Sequence, residues 1–107
     1  MNPFQQKLTI LLETHHADPN FNYLTLCQQL GRSRSQVYRL FKAAALPPPS
    51  VYIRNFRLAK AAELLKTTEL SVKEIAYQVG YRSSAHFSDN FKDKYDTTPL
   101  VYRQEDV

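Results

Sequence analysis

Arg34, Ser35, Tyr38, Arg39 and Lys42 place two guanidinium groups, an ammonium, a hydroxyl and a phenol on one short stretch of a 107-residue chain. A guanidinium is a flat, forked donor that matches a pair of acceptors, and an ammonium is a point charge suited to a single anionic oxygen. A tyrosine ring offers an apolar face. Val37, Leu40, Phe41 and Ala44 recur at i, i+3, i+4 and i+7 between these positions, so the apolar set points inward and the polar set outward on one helix. The surrounding charge is one-sided. No Asp or Glu occurs from Pro19 to Ala62, whereas Arg32, Arg34, Arg39, Lys42, Arg54, Arg57 and Lys60 all do. The flanking segments sum to −1 and −2, so the formal net charge of +4 originates in the middle of the chain. Such a block beside polar and aromatic residues points to a polyanionic partner.

A second set with the same layout lies downstream. "LCQQLGRSRSQVYRLFK" (26–42) and "IAYQVGYRSSAHFSDNFK" (75–92) each run from an apolar half through a lone glycine and small polar residues into a second apolar pattern. Leu26, Cys27 and Leu30 align with Ile75, Ala76 and Val79 at an offset of 49. Val37, Phe41, Lys42, Pro49 and Tyr52 align with Phe87, Phe91, Lys92, Pro99 and Tyr102 at an offset of 50. The single slip falls inside the turn, as expected of one supersecondary unit used twice. The second copy offers Ser84, Ala85, Ser88 and Asp89 on its outer face, with Arg82 and Lys92 beside them.

The elements that position these residues are helical. Only two glycines occur, no alternating β pattern is present, and apolar spacing follows three and four residues. Asn2 and Pro3 open a first helix with Phe4, Leu8, Leu11 and Leu12 on one stripe, ending near His15 to Asp18. Asn22 caps a second, with Tyr23, Leu26, Cys27 and Leu30 inward, which stops at Gly31. Ser33 caps the third, and "LPPPS" breaks it. Pro49 opens a long fourth helix to Thr67, marked by Tyr52, Ile53, Phe56, Leu64 and Leu65, and roughly 28 Å long at 1.5 Å per residue. Ser71 and Glu74 form a capping box for a fifth helix that stops at Gly80. Ser83 or Ser84 caps a sixth, with Phe87, Phe91 and Tyr95 inward, and Thr98 with Pro99 opens a short seventh. The expectation is an all-α chain of seven helices: a helix-turn-helix lobe over 1–47, a linker helix over 48–68 and a second helix-turn-helix lobe over 69–107. At this length folding buries roughly 65% of the unfolded surface, enough for compact but small cores.

Other chemistries find little support. Cys27 is alone and on an apolar face, where it reads as core. His15 and His16 end the first helix and His86 lies beside the second outer face, with no ligand set for a metal among them. No paired carboxylates, nucleophile and base, or glycine-rich phosphate loop occurs, so neither catalysis nor a cofactor is expected. The start "MNPFQQKLTILL" lacks a basic leader, and no apolar run approaches a membrane span, which makes a cytoplasmic location the default. Arg54 and Arg57 on the linker helix either touch the polyanion or instead pair with Glu63 or cover apolar surface. A helical adaptor that binds proteins is the alternative function.

The stretch "IRNFRLAKAAELLKTTELSVKEIAYQVGYRSSAHFSDNFKDKYDTTPLVYR" resembles the DNA-binding domain of the AraC/XylS family of bacterial transcription regulators: linker helix, "EIA", "VG" plus an aromatic residue, "F" plus "FK", then "TP" before "YR". The likeness covers about residues 5 to 104. It implies a double-stranded DNA partner, recruitment of RNA polymerase, and two recognition helices that each enter a major groove. On that reading Ser35, Tyr38 and Arg39 contact bases while Arg34 and Lys42 hold phosphate; Ser84, Ala85, Ser88 and Asp89 lie near bases while Arg82 and Lys92 hold phosphate. Where the family ends its recognition helices in glycine, this sequence has Leu46 and Asp96, and where it often has a base in the second helix, Asp89 stands. A linker of roughly 28 Å fits the 34 Å repeat of the groove, so a monomer is expected to cover an asymmetric site of roughly 20 base pairs. The sequence leaves no room within it for a sensing domain, so it reads as a stand-alone regulator or a piece of a larger one.

Overall fold

The computed structural model describes residues 2–105; Met1, Asp106 and Val107, which the expected lobes include, lie outside the described residues. Among the described residues seven helices follow one another: α1 Pro3–His15, α2 Tyr23–Leu30, α3 Arg34–Ala43, α4 Pro49–Thr67, α5 Val72–Gln78, α6 Ser84–Tyr95 and α7 Pro99–Gln104. No strand occurs among the described residues. Six of the seven start at a short polar side chain that accepts an otherwise orphaned backbone N–H: Asn2, Asn22, Ser33, Ser71, Ser83 and Thr98. In α2, α3 and α5 the third helical residue, Thr25, Gln36 or Glu74, reaches back to the cap N–H and closes a capping box. Each cap contributes about 1 kcal/mol, which matters for helices of two turns. α4 starts instead at Pro49, whose missing N–H loses nothing there.

Two cores form. The first joins Leu8 and Leu12 of α1, Phe21, Leu26 and Cys27, Val37 and Phe41 of α3, and Ile53 of α4. The second joins Leu58, Ala61, Ala62 and Leu65 of α4 to Ile75, Ala76, Val79, Tyr81, Phe87 and Phe91. α4 is therefore shared: its start closes the first lobe, and its remainder does for the second what α1 does for the first. Leu8 and Leu58 even keep the offset of 50 that relates Phe41 to Phe91. α7 in turn repeats the start of α4. Pro49 and Pro99 are both buried. Tyr52 meets Phe41 edge-on at 5.4 Å and 89°, and Tyr102 meets Phe91 at 5.3 Å and 77°. The repeat thus extends to ring geometry that sets a positive ring edge against a negative face. Arg103 docks α7 by donating from Nε to Leu65 O at 3.0 Å and from Nη2 to Thr68 O at 3.3 Å, carbonyls at the end of α4.

The exit from α3 differs from the sequence expectation by one residue. Ala45, not Leu46, takes the left-handed conformation, at φ 57. Leu46 N–H then bonds Phe41 O at 3.0 Å, satisfying a carbonyl of the last turn, and the Leu46 side chain folds back on the first core. Ala44, expected inward, is the half-buried C-cap. Asp96 does adopt the left-handed form, at φ 59. A left-handed alanine carries about 1–2 kcal/mol of strain, partly offset by glycine's greater unfolded entropy of about 0.4–1 kcal/mol. Ala45→Gly is therefore expected to stabilise the chain by roughly 0.5–1 kcal/mol, read as a melting temperature raised by about 2–8 °C. A lowered midpoint would contradict the strain assigned to Ala45.

Candidate nucleic-acid interface

All five polar residues of α3 singled out by the sequence, Arg34, Ser35, Tyr38, Arg39 and Lys42, are exposed on its outer face. Val37 and Phe41 anchor the opposite face, at 0% and 1% exposure, and hold the helix in register. α2 fixes the helix start: Tyr23 donates its hydroxyl to Arg34 O at 2.6 Å, and the Arg34 guanidinium lies 5.8 Å from the Tyr23 ring centroid. Arg39 Nε leans back on Ser35 O at 3.3 Å, and Lys42 Nζ lies 6.0 Å from the Tyr38 ring. These five-membered surroundings form a shallow hollow lined by Tyr23, Arg34, Ser35, Tyr38 and Arg39, with no carboxylate in the lining. The ion pair found among the described residues joins Lys60 to Glu13 at 2.6 Å, away from this face. The charges of Arg34, Arg39 and Lys42 thus remain available to an outside anion. Tyr23 packs against the first core as its spacing predicts; its hydroxyl bond to the start of α3 depends on a turn geometry that spacing alone does not reveal.

The second face is built alike but charged differently. Ser83 supplies the cap of α6, accepting from His86 N–H at 3.2 Å, which makes Ser84 the first helical residue. Ala85, Asp89 and Lys92 are exposed, and Ser84 and Ser88 are half-buried. Arg82 does not stand free: its Nη2 donates to Asn20 Oδ1 in the α1–α2 loop of the first lobe. His86 is exposed with its ring 5.6 Å from Tyr81, edge-on, and Asn90 Nδ2 donates to the Tyr81 hydroxyl at 2.9 Å. Burial pushes the Tyr81 phenol above its ordinary pKa, so it stays protonated under any ordinary condition.

The two linker arginines separate. Arg57 neither faces outward nor pairs with Glu63; it donates from Nε to His16 O at 3.0 Å and from Nη2 to Asp18 O at 3.0 Å and Phe21 O at 2.9 Å. Its burial lowers its pKa, yet a guanidinium remains charged, and three carbonyl dipoles replace its lost hydration. Arg54 is exposed and lines the cleft between the lobes with Ser50, Tyr23, Tyr81, Ser83 and His86. Among the described residues no three His, Cys, Asp or Glu side chains gather as a metal site, and no helix is long and apolar enough to cross a membrane.

Two helix-turn-helix units in tandem, one of them with a basic outer helix that no carboxylate pairs among the described residues, define a nucleic-acid-binding class of protein. A family model described as a helix-turn-helix domain matches residues 26–105. The regulator AlkR of Acinetobacter baylyi is 36% identical over 101 residues, which cover 92% of this chain and 33% of that protein. The activator RhaS of Escherichia coli is 36% identical over 93 residues, 87% of this chain and 33% of that protein. The C-terminal domain of the response regulator yesN from Fusobacterium nucleatum superposes with a TM-score of 0.87 at 32% identity, covering 95% of this chain and 99% of that one. The DNA-binding domain of AdpA, solved in complex with a target DNA, superposes with a TM-score of 0.85 at 27% identity, covering 97% of this chain and 92% of that one. The chain belongs to the AraC/XylS family of helix-turn-helix transcription regulators, a family of DNA-binding proteins rather than enzymes. It spans a third or less of the length of these curated relatives.

Proposed function

We propose that this chain binds double-stranded DNA sequence-specifically as a transcription regulator, with α3 and α6 in adjacent major-groove segments of an asymmetric site of roughly 20 base pairs. The observation that carries the reading is the outer face of α3, where three cationic side chains, a hydroxyl and a half-exposed tyrosine lie together with no acidic neighbour in the lining. The longest dimension of the molecule, 41 Å, spans one groove repeat of about 34–36 Å. Two probes on one chain need no second copy, so DNA binding as a monomer follows. Arg39 grips a guanine through its fork, Tyr38 lays its ring on a thymine methyl, and Ser35 bonds either base. Arg34 and Lys42 hold phosphates on either side. On α6, Ser84, Ala85 and Ser88 approach bases, and Asp89 accepts a hydrogen bond from a cytosine amino group; Lys92 takes phosphate, as does Arg82 through the guanidinium N–H groups that its bond to Asn20 leaves free. Recruitment of RNA polymerase and action in the cytoplasm complete the proposal.

Selection of sites from random duplex DNA tests it. The expected result is an asymmetric consensus with two recognised blocks about one helical turn apart. Arg39→Ala should weaken binding to the winning site by about 1–3 kcal/mol and relax preference at one base pair of one block. Affinity and preference both unchanged by that substitution would remove Arg39 from the reading face. Equal affinity for selected and scrambled duplexes would instead favour a protein-binding adaptor.

A further inference from the structure

The link between the lobes is more than a helix. Arg57 lies in the middle of α4, between Ile53 of the first core and Leu58 of the second. From there its guanidinium binds three carbonyls of the α1–α2 loop, those of His16, Asp18 and Phe21. That loop is itself ordered: Asn20 N–H bonds Asp18 Oδ1 at 2.9 Å, and the His15 ring stacks on Phe21 at 5.2 Å and 5°. The turn before α6 then closes on the same spot. A Cβ placed on Gly80 would collide with His16 O and lie 2.8 Å from Arg57 Nε, and φ +96 at Gly80 already excludes most side chains. Two residues further on, Arg82 reaches Asn20 of the same loop. The loop of one lobe, the turn of the other and the shared helix therefore meet at a single half-buried cation.

We infer that Arg57, backed by the Gly80 contact and the Arg82–Asn20 bond, is a positioning residue that fixes the angle and separation of the two recognition helices and so sets which spacing of DNA half-sites the protein accepts. The inference rests on the proposed two-groove binding. Each inserted base pair moves the second half-site by about 3.4 Å and turns it by about 35°. Two probes on a stiff link gain most affinity when the link matches the span, and lose it when geometry forbids both engaging together. A stiff latch makes the tolerance narrow. Without Arg57 the three carbonyls take water, and α4, which can bend between its two cores, keeps only surface support from the Arg82–Asn20 bond and the Lys60–Glu13 pair.

The experiment compares wild type, Arg57→Met and Arg57→Lys on the selected duplex and on duplexes with one base pair inserted or deleted between the blocks. Wild type is expected to lose roughly tenfold or more on the altered spacings. Arg57→Met should bind the selected duplex about tenfold more weakly yet differ less than about threefold among spacings, with base preferences within each block unchanged. Arg57→Lys, which keeps the charge but gathers its donors on one nitrogen, should fall between. Spin labels at Ala43→Cys and Lys94→Cys supply a readout without DNA, namely a broader interlobe distance distribution in Arg57→Met. A wild-type penalty retained in full by Arg57→Met, or an unbroadened distribution, overturns the inference. Should Arg57→Met fail to fold, Asn20→Ala, which removes the Arg82 bond on the surface, is judged by the same two measurements. A wild type without sequence preference would instead sink the proposed function itself and leave the distance measurement to decide the latch.

Discussion

Phe91→Ala is expected to destabilise the chain by about 3–5 kcal/mol, as large aromatic truncations in closed cores do. Phe91 is 0% exposed and touches rings on two helices: Phe87 at 5.8 Å and Tyr95 at 4.5 Å within α6, and Tyr102 of α7 at 5.3 Å. Those neighbours cannot close the hole. Tyr102 is fixed by α7, itself tied to α4 through Arg103, and Phe87 is pinned by Tyr81 at 5.3 Å. Domains of this size are stable by about 5–15 kcal/mol in total, so the loss removes a large share. At roughly 4–8 °C per kcal/mol the midpoint should fall by about 12–40 °C. Ile10→Ala serves as the comparison: its side chain is 66% exposed, and its change should stay within about 0.5 kcal/mol. Thermal or urea melts followed by circular dichroism decide the matter. A loss below about 1.5 kcal/mol for Phe91→Ala would mean that the second core can repack around the gap, against the ring geometry described above.

Local chemistry made much of this fold readable. Asn2, Asn22, Ser33, Ser71 and Thr98 each cap the helix that the sequence assigns to them, because a capping bond reaches only three residues along the chain. The repeat was readable for a related reason: Phe41 with Tyr52 and Phe91 with Tyr102 need the same spacing to make the same edge-on contact. What escaped is non-local. Leu58, Ala61 and Ala62 lie in the second core while Ile53 lies in the first, so α4 has no single apolar stripe for a periodicity to find. Arg57 bonds carbonyls 36 to 41 residues away, and nothing in its neighbours distinguishes it from Arg54. Lys60 pairs with Glu13 across helices, again beyond reach of sequence spacing. The outer face of α3 was legible because alternation of inward and outward positions is a local property, and its charge block was visible along the chain. Tyr23 was not, since its hydroxyl serves the helix after the turn rather than its own.

The salt dependence of DNA binding should expose which cations meet phosphate. Each neutralised phosphate contributes about −0.9 to the slope of log affinity against log salt. With Arg34, Lys42, Arg82 and Lys92 all engaged, the slope is about −3.6, and raising salt fourfold weakens binding by roughly 150-fold. Arg82 makes this value discriminating, because in the free protein it is bonded to Asn20. If that bond holds Arg82 away from phosphate, three contacts remain, the slope is about −2.7 and the same change of salt costs roughly 40-fold. Lys60 is a useful control, since its ammonium is paired with Glu13 and Lys60→Ala should leave the slope unchanged. Removing Arg34 and Lys42 together should lower the slope by about 1.8 and weaken binding to selected and scrambled duplexes alike, since phosphate contacts carry no sequence information. The net charge of +4 does not by itself require such a response. The response follows from concentrating charge on α3 with no acidic residue from Pro19 to Ala62, so a slope that ignores Arg34 and Lys42 would mean that the field acts at some other surface.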